Sequence, residues 1–316
     1  MCEASVVLMA CIPRLRVVCV YSALFLAMDY ANGLRASPAF QRALPDDSSL
    51  VEYLGCCENG KSYGDPETAA AGMGPFLEGN GGVGTFGGSE DHAAIMTCKA
   101  NSVLVYGFCP TRLEREVSVH ATMVFVVASS GVVAAKTAGA MAKYNTAASD
   151  AQRVARTSGG FATMGEALRL RGEGPCRETL QSATGNNVRS HKSLKRFHQF
   201  ALEVTEVVPG LADALESGDL AAGGRLMDLS HAAGADALTN LVEATAWLPK
   251  RAKALGACGA TAFGAGFGGS VVALVPAEGA ERFRAAWERD YRAAFPENDD
   301  TAAFFVMRPG PGATRI

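Results

Sequence analysis

The chain has 316 residues, enough for two domains and a substantial apolar core. At 48% hydrophobic and 19% charged it has a globular composition, and a net charge of −3 excludes the basic field that nucleic acid or an acidic membrane surface attracts. Its nine cysteines are odd in number and scattered without a C-x-x-C pair, so neither a disulfide framework nor a metal site is indicated, and a reducing, cytoplasmic setting is expected.

In chain order, residues 1–16 carry no role that the sequence reveals. Val17 to Met28 is an apolar run preceded by Arg14 and Arg16. It is shorter than the ~20 residues that span a bilayer, though of a length a signal peptide tolerates. The run continues to Asn32-Gly33, a helix-stop signal, so a buried helix is the expectation. Residues 35–90 read as short helices with polar connections, one starting after Pro45-Asp46-Asp47-Ser48-Ser49, followed by a turn-rich break from Ser62 to Thr68. A glycine cluster from Gly79 to Gly88 runs into Ser89-Glu90-Asp91-His92. Ala93 to Thr97 starts a helix or strand, and Ser102 to Phe108 and Met123 to Ala128 read as strands. Ala134 to Arg156 is predicted as one long helix. Apolar residues at helical spacing from Phe197 to Val207 predict another, interrupted at Pro209-Gly210; Leu238 to Leu248 and Ala277 to Phe295 predict two more, and Ala302 to Met307 a closing strand.

The stretch from Gly256 to Val275 is uncharged and glycine-dense, with Gly264-Ala265-Gly266-Phe267-Gly268-Gly269 leading into the β-branched segment Ser270 to Val275. Such glycines serve positive φ or close backbone approach. The letters also spell G-x-G-x-x-G, but a dinucleotide fingerprint needs a helix opening on the glycines. A strand follows here instead, stopped by Pro276, so the Rossmann reading is set aside. The order of helices, strand, glycine loop, strand, helix and strand predicts helices packed on one antiparallel sheet.

Two glycine clusters and an Asp between polar neighbours suit phosphoryl transfer, which needs backbone amides around phosphate and a group that deprotonates or orients the attacking hydroxyl. Asp91 stands where the first cluster gives way to regular structure, a place for a catalytic carboxylate or for an ordinary helix cap.

From about residue 22 onward the chain resembles the galactokinase-like sugar kinases of the GHMP kinase superfamily. Gly259 to Gly269 is similar to that family's third motif, G-x-x-x-x-G-x-G-F-G-G; Gly87-Gly88-Ser89-Glu90-Asp91-His92 resembles its G-G-x-M-D-Q segment; Ala142-Lys143-Tyr144-Asn145 resembles S-E-Y-N. Leu215 to Leu220, with Met227 to His231, is similar to the helical stretch before the third motif. The resemblance implies an ATP- and Mg²⁺-dependent kinase that phosphorylates a monosaccharide at its anomeric hydroxyl, with Asp91 as the base. It implies Gly88, Tyr144 and Gly266 as sugar contacts, and Ser22, Gly264, Gly266, Gly268 and Gly269 as nucleotide contacts. No protein metal ligands are carried over, and no nucleic-acid or membrane partner is expected. The implied fold is α+β: a two-domain GHMP kinase-like architecture, with a truncated N-terminal α/β domain over residues 1–132 and a ferredoxin-like α+β C-terminal domain over 133–316.

The departures from the family pattern bear on activity. Glu90 and His92 replace the Met and Gln that flank the base, and Lys136 is a possible phosphate contact or an exposed helix lysine. Nothing in residues 1–60 resembles the first motif, G-R-V-N-L-I-G-E-H-x-D-Y, and of the second, P-x-G-x-G-L-S-S-S-A, only Ser22-Ala23-Leu24 matches the tail. A non-catalytic sugar-binding protein or an inactive shortened product is therefore the alternative expectation.

Overall fold

The computed structural model describes residues 6–9, 20–59, 61–72, 74–79, 89–108, 111–132, 139–184, 188–264 and 266–313, with backbone alone for some, among them 20–24 and 139–144. It divides into two compact units, chiefly Val7–Glu116 with the returning Pro309–Ile316, and Val117–Arg308.

The first unit runs β1 (Val6–Met9), α1 (Val20–Asn32), α2 (Pro38–Ala43), α3 (Asp47–Asn59), β2 (Tyr63–Gly64), α4 (Pro66–Ala70), β3 (Phe76–Leu77), α5 (Glu90–Thr97), β4 (Ser102–Phe108) and β5 (Thr111–Ser118). β1, β4 and β5 form a three-stranded sheet in that order, and β2 pairs antiparallel with β3. The expected helix around residues 17–28 is described from Val20 as α1, residues 17–19 lying outside the described residues, and it stops at Asn32, with Gly33 left-handed at φ 61°. It is not wholly buried: Phe25 packs with Leu44, Leu50 and Leu54, while Met28 and Tyr30 are exposed. Among the described side chains of α1, Leu26 packs against the same cluster as Phe25. A second cluster joins Val51 of α3, Ala93 of α5 and Leu104 and Tyr106 of β4. The chain end closes on α5, with Gly312 N donating to Cys98 O (2.7 Å) and Ala313 N to Ile95 O (2.6 Å).

The second unit runs β6 (Met123–Ser129), α6 (Gly139–Thr157), α7 (Met164–Arg171), α8 (Glu173–Thr184), α9 (Val188–Leu202), α10 (Val208–Ser217), α11 (Leu220–Leu238), α12 (Glu243–Ala254), β7 (Gly259–Phe263), β8 (Ser270–Pro276), α13 (Ala280–Ala294) and β9 (Ala303–Met307). The strands form the expected antiparallel sheet, in the order β7-β8-β6-β9. Its core gathers Val126, Val271 and Ala273 from the sheet with Leu248 of α12 and Trp287 and Tyr291 of α13. Trp287 Nε1 donates to Leu248 O (3.2 Å) and the Tyr291 hydroxyl to Ser130 O (2.6 Å), so both buried aromatics satisfy their polar atoms. A separate helical core unites α6 to α9 through Val154, Met164, Leu180, Phe197 and Phe200.

The two units divide at Glu116 and Val117, with the apolar β6 in the second because it pairs with β8 and β9. The expected long helix from Ala134 is described from Gly139 onward, and residues 133–138, with Lys136, lie outside the described residues. Two sequence expectations change. Pro209 does not break the chain: α9 passes through a π-helical turn at Glu203–Val207 into α10, where a proline in the first turn costs no hydrogen bond. Leu238 to Leu248 is not one helix, because Thr239 is left-handed (φ 51°) and ends α11 before α12 starts at Glu243.

Candidate functional site

Asp91 lies in the first turn of α5, partly buried, beside Glu90. It is not the helix cap: Ser89 holds that position, and Asp91 sits within the turn, where the helix dipole favours an anion. Two contacts fix this turn. The Ser89 and Thr111 hydroxyls are hydrogen-bonded (3.2 Å), tying the helix start to β5. His92, fully buried, places Nε2 2.9 Å from Oε2 of Glu58, tying the same turn to α3. α3 approaches so closely that a Cβ on Gly55 would meet the Ser89 Cβ at 3.0 Å. Glu52, one helical face back on α3, has its carboxyl pushed up by burial, opposed by a hydrogen bond from the Thr111 backbone. A carboxylate on a turn held from two sides is the pre-organised arrangement that proton abstraction needs.

The glycine segment Gly264–Gly269 is the hairpin turn between β7 and β8, whose ladder closes at Phe263 and Ser270. Gly264, Gly266, Phe267, Gly268 and Gly269 all have positive φ, from 59° to 135°, which explains the glycine density. The loop is pinned from two sides of its own unit. Phe267 N donates to Asn240 O (2.6 Å), and Gly269 N to Val132 O (3.2 Å). The Ser130 amide and hydroxyl both donate to Gly269 O, at 2.9 and 2.7 Å. A Cβ at Gly266 would lie 2.4 Å from the Asn240 amide nitrogen, so that glycine is needed by the fold itself. Gly264 and Gly269 are different: no atom lies within 4 Å of a Cβ built there. The amide and carbonyl of Gly269 are nonetheless both engaged within the unit, so the flank beside Gly264 is the one that leaves room for a ligand.

β7 is an edge strand, and α11 covers that edge. Asp228 Oδ1 accepts from Ala260 N (3.1 Å) and His231 Nδ1 from Ala262 N (3.4 Å), so two residues one turn apart on the helix satisfy alternate strand amides just before the glycine loop. Burial pushes the His231 imidazole below its ordinary range, against the pull of Asp228 and with a smaller push from Lys250. The closeness has a simple origin: a Cβ at Gly224 would lie 2.1 Å from Cys258 O, and one at Gly259 2.1 Å from Gly224 O.

Of the other sequence-predicted residues, Gly88 lies outside the described residues, and Ser22 and Tyr144 are described by their backbone alone, in α1 and α6. Gly268 is buried in the hairpin turn. The sequence reading missed Glu58, Thr111, Asn240 and Asp228. Each supports the candidate residues from another element, at separations with no periodic or motif signal. Among the described residues no group of three metal-ligating side chains occurs, and no helix is long and apolar enough to cross a membrane.

Comparison with known proteins gives a consistent picture. Residues 211–293 match the family model "GHMP kinases C terminal". The chain is 31% identical over 147 residues to a galactokinase of Pyrococcus furiosus, covering 46% of this chain and 40% of that one. It is 38% identical over 106 residues to a galactokinase of a Roseiflexus species, covering 33% of this chain and 26% of the relative. The matched stretches thus span well under half the length of these relatives. Among solved structures, the chain is similar to a Lactococcus lactis galactokinase crystallised with galactose, with TM-score 0.64 and 21% identity over 93% of this chain and 65% of that one, a likeness of fold.

Proposed function

We propose that this chain, similar to the GHMP kinases and within them to galactokinases, carries out ATP-dependent phosphorylation of a monosaccharide at its anomeric hydroxyl. Asp91 is the general base in this reading. The observation that carries it is the placement of that carboxylate, partly exposed on the first turn of α5 and held there through Ser89–Thr111 and His92–Glu58. ATP supplies the phosphoryl group, with Mg²⁺ neutralising its phosphate oxygens. As the sugar oxygen bonds to phosphorus and the bond to ADP breaks, Asp91 takes the hydroxyl proton. The open flank of Gly264 offers space for a phosphate-bearing group, Gly266 and Gly268 keep the turn in shape, and Gly269 is a nucleotide contact by the family resemblance alone. Tyr144 and Gly88 complete the sugar contacts and Ser22 the nucleotide contacts, by the family resemblance. A cytoplasmic setting goes with this reading.

A second reading, sugar binding without turnover, is favoured by two features of the sequence. Glu90 and His92 flank Asp91 in place of the family's Met and Gln, and residues 1–60 show no first motif. One experiment separates the two readings: ATP consumption by the purified chain with Mg²⁺ and a panel of monosaccharides, beside Asp91→Ala. Turnover with one sugar that falls at least ~100-fold in the variant supports the kinase. A folded chain that binds a sugar in calorimetry yet hydrolyses no ATP with it refutes catalysis and leaves the binding protein.

A further inference from the structure

We propose that His231 is a proton-operated latch on the glycine loop: as a neutral imidazole it fastens the β7 limb of the loop to α11, and on protonation it lets that limb go. Its Nδ1 accepts from Ala262 N (3.4 Å), so Nδ1 carries no proton and the ring hydrogen sits on Nε2. A second proton goes to Nδ1 itself and turns the acceptor into a donor that faces the Ala262 N–H. The bond is then lost. Asp228, one turn earlier on α11, serves Ala260 N in the same way, but a carboxylate remains an acceptor near neutral pH. The strand edge thus has two fastenings, one insensitive to mild acid and one broken by it.

The groups facing the ring do not hold it charged. Asp228 is the natural partner for an imidazolium, yet both its oxygens are engaged, Oδ1 by Ala260 N and Oδ2 by Lys253 Nζ of α12 (2.6 Å). Lys250, also on α12, opposes the charge. β7 and β8 carry no ionisable side chain. On the α9 side, Asp236 closes on Lys195 and Glu203 receives the Ser230 hydroxyl, while α10 meets α11 earlier, at Gly223 and Leu226. With the ring half-buried, burial outweighs Asp228 and keeps the fastened imidazole below its ordinary range. Releasing the limb returns the ring toward that range, so opening takes up a proton and is favoured as pH falls through the folded value.

The release is local. The rest of the loop hangs on backbone and hydroxyl contacts that do not titrate, Phe267 N to Asn240 O, and Gly269 through Val132 and Ser130. The crossing of Gly224 on Gly259 keeps α11 against the start of β7. Protonation therefore loosens Ala262 to Gly264, the limb that ends at the open flank, and leaves the β8 side in place. The latch stands on these contacts alone; its effect on nucleotide affinity rests on the proposed function.

The test is amide exchange of the full chain at about pH 7.5 and about pH 5, corrected for the intrinsic rate. Ala262 should exchange about tenfold faster at the lower pH, the loss of one hydrogen bond, while Val271 and Ala273 of β8 keep their protection. His231→Asn keeps an acceptor oxygen near the place of Nδ1 and does not titrate, so it should abolish the change. His231→Leu should exchange fast at both pH values. No acceleration in wild type, or the same acceleration in His231→Asn, would overturn the latch. Calorimetry with MgATP then tests the consequence: wild-type affinity should fall several-fold more between the two pH values than that of His231→Asn. Equal falls would overturn the regulatory role. Absence of MgATP binding at both pH values would count against the nucleotide site of the kinase reading, with the exchange result still deciding the latch.

Discussion

Two glycines on one helix should respond to the same substitution with opposite signs. Gly224 and Gly234 both lie within α11, where alanine has the higher helix propensity by ~1 kcal/mol. At Gly234 the nearest atom to an added Cβ is Leu238 Cδ1 at 3.9 Å, an ordinary contact, so Gly234→Ala should stabilise the protein by ~0.5–1 kcal/mol. At Gly224 the added Cβ would lie 2.1 Å from Cys258 O and 2.3 Å from its carbonyl carbon. Both are backbone atoms at the start of the β7 hairpin, so no rotamer change relieves the overlap, and α11 must move off the strand. That movement stretches the Asp228–Ala260 and His231–Ala262 hydrogen bonds, worth about 1 kcal/mol each. Added to an overpacking cost of ~1–3 kcal/mol, Gly224→Ala should destabilise by roughly 3 kcal/mol or more. Urea denaturation of the three proteins, followed by tryptophan fluorescence from Trp247 and Trp287, measures the difference directly. If the two variants fall within ~1 kcal/mol of each other, the Gly–Gly crossing does not hold α11 against β7 and the account of the covered edge is wrong.

Other outcomes follow from the same contacts. His231 has a depressed pKa in the folded state, so its contribution is present above the ordinary histidine range and is lost as pH falls through the folded value; wild type should lose more stability between pH 7.5 and 5 than His231→Asn, as read from denaturation midpoints. Tyr291→Phe removes the donor to Ser130 O (2.6 Å) and the acceptor for Asn298 (3.2 Å) in a buried setting, and should cost ~1–3 kcal/mol without changing the far-ultraviolet dichroism. Glu58→Ala takes a partner from the fully buried His92, and should loosen α5 enough to speed amide exchange at residues 90–97 while leaving exchange in β6 and β8 unchanged.

Periodic and β-branched patterns carried most of the second unit into view. β6, β8 and β9 are short apolar runs bounded by turn residues, and the helix Ala280–Ala294 repeats its aromatics at Phe283, Trp287 and Tyr291. The sheet order was harder to read, because β6 precedes the helices in sequence and joins the sheet only through long-range pairing, which no local pattern encodes. The π-helical turn at Glu203–Val207 was illegible for a related reason. Pro209 signals a break only where its missing amide would be needed, and after that turn it stands at the start of α10.

The glycine loop shows how far a motif can be read. Its density pointed to a backbone with positive φ or near a ligand, and the turn has positive φ at each of its described positions from Gly264 to Gly269. The motif did not distinguish which glycine serves which purpose. Gly266 is spent on the fold, against Asn240, whereas Gly264 and Gly269 have open flanks. An alanine scan of the loop therefore carries two different meanings. At Gly266 a loss of nucleotide binding would accompany a loss of stability. At Gly264 strain from φ 80° costs ~1 kcal/mol, and any larger loss of binding would report a ligand against the backbone.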